Sequence, residues 1–332
     1  MMFINELFQT LVFILPSTLL FAVPLMVVAL GGLFSERSGV VNIALEGIMI
    51  IGAFFSIFFI RLMQINNVLD GQALLLLACV VAMSTGAVFS LLHAYAAINL
   101  RADQTISGTA LNMFAPAFAI FTARMMQENS VQQIEFSSTH FRIMTSLTPE
   151  TPIIGSLLTN AASITTYITT FLGFIILILA WFVLYKTRFG MRLRSCGEHP
   201  QAADSVGINV YKMRYAGVAV SGALAGLGGL IFVVTTSTNF SASVSGYGFL
   251  ALAVLIFGQW KPRRIMWAAL FFGFMKAIST GYMAVIGLKT LPIPSDIYKM
   301  VPYIATMIVL AFSSKSSQAP RASGVPYDKG QR

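Results

Sequence analysis

Tyr215-Ala-Gly-Val-Ala-Val-Ser-Gly-Ala-Leu-Ala-Gly-Leu-Gly-Gly-Leu-Ile-Phe-Val-Val-Thr-Thr236 holds no Asp, Glu, Lys or Arg, and the charge-free run continues to Trp260, 46 residues in all. A bilayer core needs roughly 20 apolar residues per helix. Backbone in lipid must satisfy its own hydrogen bonds, which leaves helices or closed barrels. Gln72–Leu100 and Thr151–Tyr185 are charge-free in the same way. A transmembrane barrel would show alternating segments of about ten residues, and these runs do not alternate. The whole chain agrees with its longest run. Hydrophobic residues make up 57% of its 332 residues and charged ones 10%, against about 25% in soluble domains, and the mean hydropathy is +0.79. The expected fold class is therefore all-α, a polytopic membrane helix bundle.

Working outward, the chain reads as about nine (8–10) membrane elements: 11–34, 40–60, 73–98, 105–126, 164–185, 215–236, 248–259, 265–287 and 297–312. Pro16 and Pro24 could split the first. Gly248–Gln259 has 12 residues, about 18 Å as a helix, and Met300–Phe312 is little longer; short, Gly-punctuated elements build the broken helices of transporters. Lys and Arg stay cytoplasmic in short loops. The loop 186–214 carries Lys186, Arg188, Arg192, Arg194, Lys212 and Arg214. Placing it inside puts 15 of the 21 cations inside, with the N-terminus outside and the C-terminus cytoplasmic. The net charge of +9 is thus a topology signal and not a nucleic-acid footprint. The division is a transmembrane domain, 1–312, and a polar cytoplasmic tail, 313–332; Gln127–Thr159 is the longest outer stretch. Met1–Thr10 has no Lys or Arg, so a cleavable signal peptide is not expected. Cys79 lies in an apolar run and Cys196 in a basic loop, which argues against a disulfide.

The loop segment Arg194-Ser-Cys-Gly-Glu-His-Pro-Gln-Ala-Ala-Asp-Ser-Val-Gly-Ile208 has start and stop signals of its own. Pro200 suits a first helical turn, Ala202 and Ala203 are strong helix formers, and Gly207 suits a C′ position. A two-turn helix with an exposed Ala202–Ala203 face, flanked by cations, reads as a docking site for a soluble partner. An ordinary solvated loop is the plainer alternative.

Gly197, Ala202, Ala203, Gly207 and Ile208 resemble the coupling loop of the branched-chain amino acid/ribose-type ABC permeases. The resemblance extends over most of the chain and is nearer to the bacterial nucleoside uptake permeases within that superfamily. It includes Leu30–Gly47, Gln104–Asn112, Ser221–Gly229, Gly248–Gly258 and Gly324-Val-Pro-Tyr327. It implies a heterodimer with a second, related permease subunit, a cytoplasmic ABC ATPase that binds ATP and Mg, and an extracytoplasmic substrate-binding lipoprotein that captures nucleoside. The chain itself would be no enzyme and hold no cofactor. The nearest approach to a phosphate-binding loop, Gly281–Thr290, has the wrong spacing. No His, Cys, Asp and Glu have metal-ligand spacing.

Gly222-x-x-x-Gly226 with Ala225, Gly228 and Gly229 reads as close helix packing. Ionisable groups within a membrane are costly and usually functional. Glu46, with Asn42 one turn before it, and Lys276 are candidates for a polar translocation lining, as is Asn112 with Gln104 two turns earlier. The competing reading for Glu46 is structural, with Arg37 as partner. His93 reads as a helix–helix contact. The expected function is a permease subunit of an ATP-driven nucleoside importer in the cytoplasmic membrane. The alternatives are a ribose or simple-sugar permease, an ion-coupled secondary transporter, and a membrane-embedded enzyme.

Overall fold

The computed structural model describes residues 2–127, 131–145, 164–281, 319–329 and several between 297 and 311. Parts of the expected eighth and ninth elements and of the outer segment therefore lie outside the described residues. The helices are α1 (Met2–Arg37), α2 (Leu45–Ile65), α3 (Gly71–Ala94, continued by a π-turn to Asn99), α4 (Gln104–Met126), α5 (Ile168–Lys186), α6 (Arg188–Glu198), α7 (Pro200–Ser205), α8 (Val210–Thr236), α9 (Tyr247–Phe257) and α10 (Pro262–Gly281). Two short antiparallel ladders join β1 (Ile134–Glu135) to β4 (Asn239–Phe240), and β2 (Arg142–Thr145) to β3 (Ile164–Tyr167).

The architecture is an all-α membrane bundle. Six described segments are long and apolar enough to cross a bilayer: Pro16–Arg37, Leu45–Ile65, Gly71–Asn99, Gln104–Met126, Ile168–Lys186 and Val210–Thr236. Helix α9 is apolar but only 11 residues long. Two differences from expectation bear on the site. Pro16 and Pro24 do not split the first run, and α1 continues through both. The second element starts at Leu45, not at 40; Gly39, at φ +95°, ends α1 in a left-handed turn that a side chain would strain.

Helix α8 is the hub, packed against α1, α2 and α3. Its small residues make this possible. A Cβ on Gly52 of α2 would strike the Gly226 backbone, and one on Gly86 of α3 would strike Gly222 and Gly226. Three helix backbones thus touch at one level, the arrangement that small-xxx-small sequences permit.

The loops sort onto two faces. On one, Arg37 bonds Glu198 and the Trp260 carbonyl, Tyr215 bonds Asn99, and Arg101 bonds Asp328. These are the segments the cation distribution assigns to a common side. On the other, Gln64 bonds Ser137, Asp70 bonds His140, and Asn239 bonds Gln133.

Candidate translocation path and coupling loop

Between α1 and α2 the backbone leaves the helix over 38–44, where Ser38, Gly39, Val40, Asn42 and Ala44 are buried and each freed group needs a protein partner. The partners come from α3 and α4 or from within the break. Gln104 Oε1 accepts from the Val41 N–H at 2.7 Å, and His93 Nε2 meets the Val41 carbonyl at 2.9 Å. Asn112 Nδ2 donates to the Ile43 carbonyl while its Oδ1 accepts from the Gly47 N–H, both at 2.8 Å. Asn42 Oδ1 accepts from the Ala44 N–H at 3.1 Å, and its Nδ2 donates to Ser221 Oγ at 2.9 Å. Asn42 lies before α2, so it does not share a helical face with Glu46.

Glu46 occupies the first turn of α2 and serves a different helix. Its two carboxylate oxygens accept from the Gly246 N–H at 2.9 Å and the Gly248 N–H at 2.6 Å. These are orphan donors at the N-terminus of α9, where the helix dipole also favours negative charge. Gly246 is left-handed at φ +77°, and a Cβ at Gly248 would collide with the Glu46 backbone. The partner of Glu46 is therefore the α9 terminus, not Arg37. Four of the five polar residues singled out in the sequence thus hold backbone.

The fifth, Lys276, lines a cavity of about 540 Å³ between α1, α8 and α10, within the size range of small-molecule sites. Its other walls include Phe21, Phe232 and Phe240, and Thr236, Asn239 and Ser243. Lys276 makes no ion pair with any described residue. Phenylalanine side chains, hydroxyls, an amide and one ammonium could pack against a ring and hydrogen-bond a polar solute.

The loop on the opposite face folds as α6 and α7. Pro200 opens α7 and Gly207, at φ +82°, ends it. One expectation is corrected here: Ala202 and Ala203 do not form one exposed face. Ala203 is 3% exposed and packs with Cys196, Val210 and Tyr327. A six-residue helix cannot stand alone, and the inward side of Ala203 is what seats it. Ile208 leans on the same cluster, and Pro200 and Gly197 are buried. Burial pushes the Cys196 thiol above its ordinary pKa, so it is a packing group. The surface left for a partner is Ala202, Ser205, Val206 and Gly207, with Arg188, Met191 and Arg192 beside it.

Within the expected polar tail, residues 319–329 bond to the rest of the chain. The Ala322 N–H donates to the Gly197 carbonyl at 2.9 Å and the Gly324 N–H to the Gly39 carbonyl at 3.2 Å. Buried Arg214 donates to the Val325 carbonyl at 3.0 Å, and the Tyr327 ring lies edge-on to Tyr211. Sequence reasoning missed Arg214, counted as a loop cation, and Trp260. The signal for the strap was Gly324-Val-Pro-Tyr327, an ordered-looking turn motif inside a polar stretch.

Comparison with known proteins places this geometry in context. The family model described as "Branched-chain amino acid transport system / permease component" matches residues 14–310. The chain is similar to the guanosine ABC transporter permease protein NupQ of Bacillus subtilis, 44% identical over 98% of this chain and all of NupQ. It is 42% identical to the nucleoside ABC transporter permease protein NupC of Lactococcus lactis, over 97% of this chain and 99% of NupC. It is 27% identical to NupB of the same organism, a protein of the same description, over 93% and 84%. No solved structure matches. With apolar spans, a broken bundle and a family match across nearly the whole length, the chain belongs to the branched-chain amino acid transport system permease family, and is a multi-pass membrane subunit and not an enzyme.

Proposed function

We propose that this subunit moves nucleosides inward across the cytoplasmic membrane by alternating access, driven by ATP hydrolysis on a partner. The observation that carries the reading is the full-length similarity to two permeases named for guanosine and nucleoside. The cavity beside Lys276 supports it, because its apolar phenylalanine walls suit a base, and the hydroxyls and Asn239 suit a ribose. That two permeases of one organism both resemble the chain supports pairing with a second, related subunit. A lipoprotein would deliver substrate at the face bearing 131–145. The face bearing 186–214 is cytoplasmic on the positive-inside argument, with the tail 313–332 on that side and the N-terminus opposite. There the loop Gly197–Ile208 receives the ATPase, which holds ATP and Mg.

The test is uptake of labelled nucleosides and simple sugars in a strain lacking this gene and carrying it on a plasmid. ATP-dependent nucleoside uptake restored by the plasmid supports the reading. Restoration of sugar uptake alone replaces the substrate class, and uptake driven by an ion gradient without ATP replaces the class of transporter.

A further inference from the structure

We infer that Arg37 is a positioning residue that connects the loop receiving the ATPase to the rim of the cavity. This rests on the reading of Gly197–Ile208 as the docking loop. Arg37 is the last residue of α1, and its side chain is 12% exposed. Its Nη1 donates to Glu198 Oε1 at 3.3 Å, at the end of α6 and two residues before the docking helix. Its Nη2 donates to the Trp260 carbonyl at 3.1 Å, in the turn that follows α9. The next residue back, Glu36, accepts from Trp260 Nε1–H at 2.5 Å. Trp260 is therefore gripped at its backbone and its ring by consecutive residues of α1.

That turn is not relaxed. Gln259 and Trp260 stand in succession at φ +51° and +52°, a left-handed conformation that non-glycine residues adopt rarely and at a cost. A conformation of this kind persists where its surroundings hold it, and the Glu36–Arg37 grip is such a hold. Helix α9 runs from this turn to the Glu46 cap, and Ser243 and Ser245 just before it line the cavity. Loop, guanidinium, strained turn, rigid helix and cavity rim form one continuous connection. Contact at a gap-free interface also joins the loop to α1 directly, because a Cβ at Gly197 would collide with the Arg37 carbonyl. Displacement of Glu198 when the ATPase closes would pull on Arg37, release or tighten the 259–260 turn, and shift α9 as a body.

The experiment uses the complete complex in proteoliposomes, with Arg37→Met, Arg37→Lys and Glu198→Ala, and Val206→Asp on the exposed loop surface as the reference. Subunit co-purification, basal ATP hydrolysis, hydrolysis stimulated by substrate-loaded binding protein, and uptake are measured for each. Arg37→Met should assemble and keep basal hydrolysis, and lose stimulation and uptake by about tenfold, in the range of ordinary coupling energies. Arg37→Lys, which can hold one partner but not both, should fall between. Glu198→Ala should reduce stimulation in the wild-type background and add nothing to Arg37→Met. Should Arg37→Met fail to assemble, Arg37→Lys decides, since it keeps the charge and leaves the docking loop unchanged. Normal stimulation in the assembling variants, with Val206→Asp losing it, overturns the role of Arg37 and leaves the docking loop standing. Normal behaviour of Val206→Asp as well overturns the docking reading, and the role of Arg37 with it.

Discussion

The polar groups inside this bundle fall into two regions that differ in what they face. Around the break at 38–47, Asn42, Glu46, His93, Gln104 and Asn112 direct their hydrogen bonds at backbone left bare by two helix ends. Around the cavity, Lys276, Asn239 and Ser243 border open space of about 540 Å³. Both sets are polar residues set against apolar helices. The first satisfies the buried backbone between two helices, and the second leaves a solute somewhere to bind. Polarity within an apolar run therefore does not by itself mark a path; the deciding question is whether a nearby backbone group needs the side chain.

Substitution should separate the two regions most sharply at Glu46 and Lys276. Glu46→Ala strands two buried amides, each worth about 1–3 kcal/mol when unpaired, and the complex should fail to assemble in co-purification. Lys276→Met should assemble normally and lower uptake about tenfold, equivalent to ~1.4 kcal/mol of lost interaction. A Glu46→Ala complex that assembles but does not transport would move Glu46 into the path and erase the contrast.

The next effect concerns the remaining props. Asn112→Leu and Gln104→Leu each remove partners of the 41–47 backbone, and each should destabilise by about 1–3 kcal/mol. Thermal unfolding of the detergent-purified subunit reads this directly. Uptake per folded complex should stay near wild type; a fall in uptake without a fall in stability would sharpen the roles differently.

The smallest effect lies at the outer face. His140 beside Asp70 holds its carboxyl below the usual carboxylate range. The contribution is therefore present above the unfolded value near 3.8 and fades as pH drops through the lower folded one. Both side chains are well exposed, so the pair is worth under about 1 kcal/mol. Asp70→Asn should slightly reduce the difference in unfolding midpoint between pH 7 and pH 3, and leave assembly and transport alone.

Much of the fold was legible because it rests on length and apolarity alone. The charge-free runs placed α3, α5 and most of α8, the Gly222–Gly226 spacing marked a close approach of α8 to α2 and α3, and Pro200 and Gly207 bounded α7. What was not legible depends on partners distant in sequence. Glu46 and Gly246 are 200 residues apart, so nothing near Glu46 names its role; its position in the first turn was also hidden, because the break at Gly39 moves the start of α2. Ala203 differs from Ala202 only in which side of a two-turn helix meets Tyr327, a contact made from the far end of the chain. Arg214 carries the same charge as its loop neighbours, and only the strap 319–329 shows it to be core. Lys276 was visible as a lone cation in an apolar run, but its distinction from Glu46 needed the cavity.

The central claim, that nucleosides pass through the cavity beside Lys276, is tested most directly by the Thr236→Cys variant. Thr236 is exposed and lines the cavity, while Cys79 and Cys196 are buried. A membrane-impermeant thiol reagent applied from the outer face should label Cys introduced at 236 and stop uptake. Saturating guanosine or uridine, presented with the binding lipoprotein, should slow the labelling, and ribose or glucose should not. Labelling that leaves nucleoside uptake at its wild-type rate, or that nucleoside does not slow, would contradict the account.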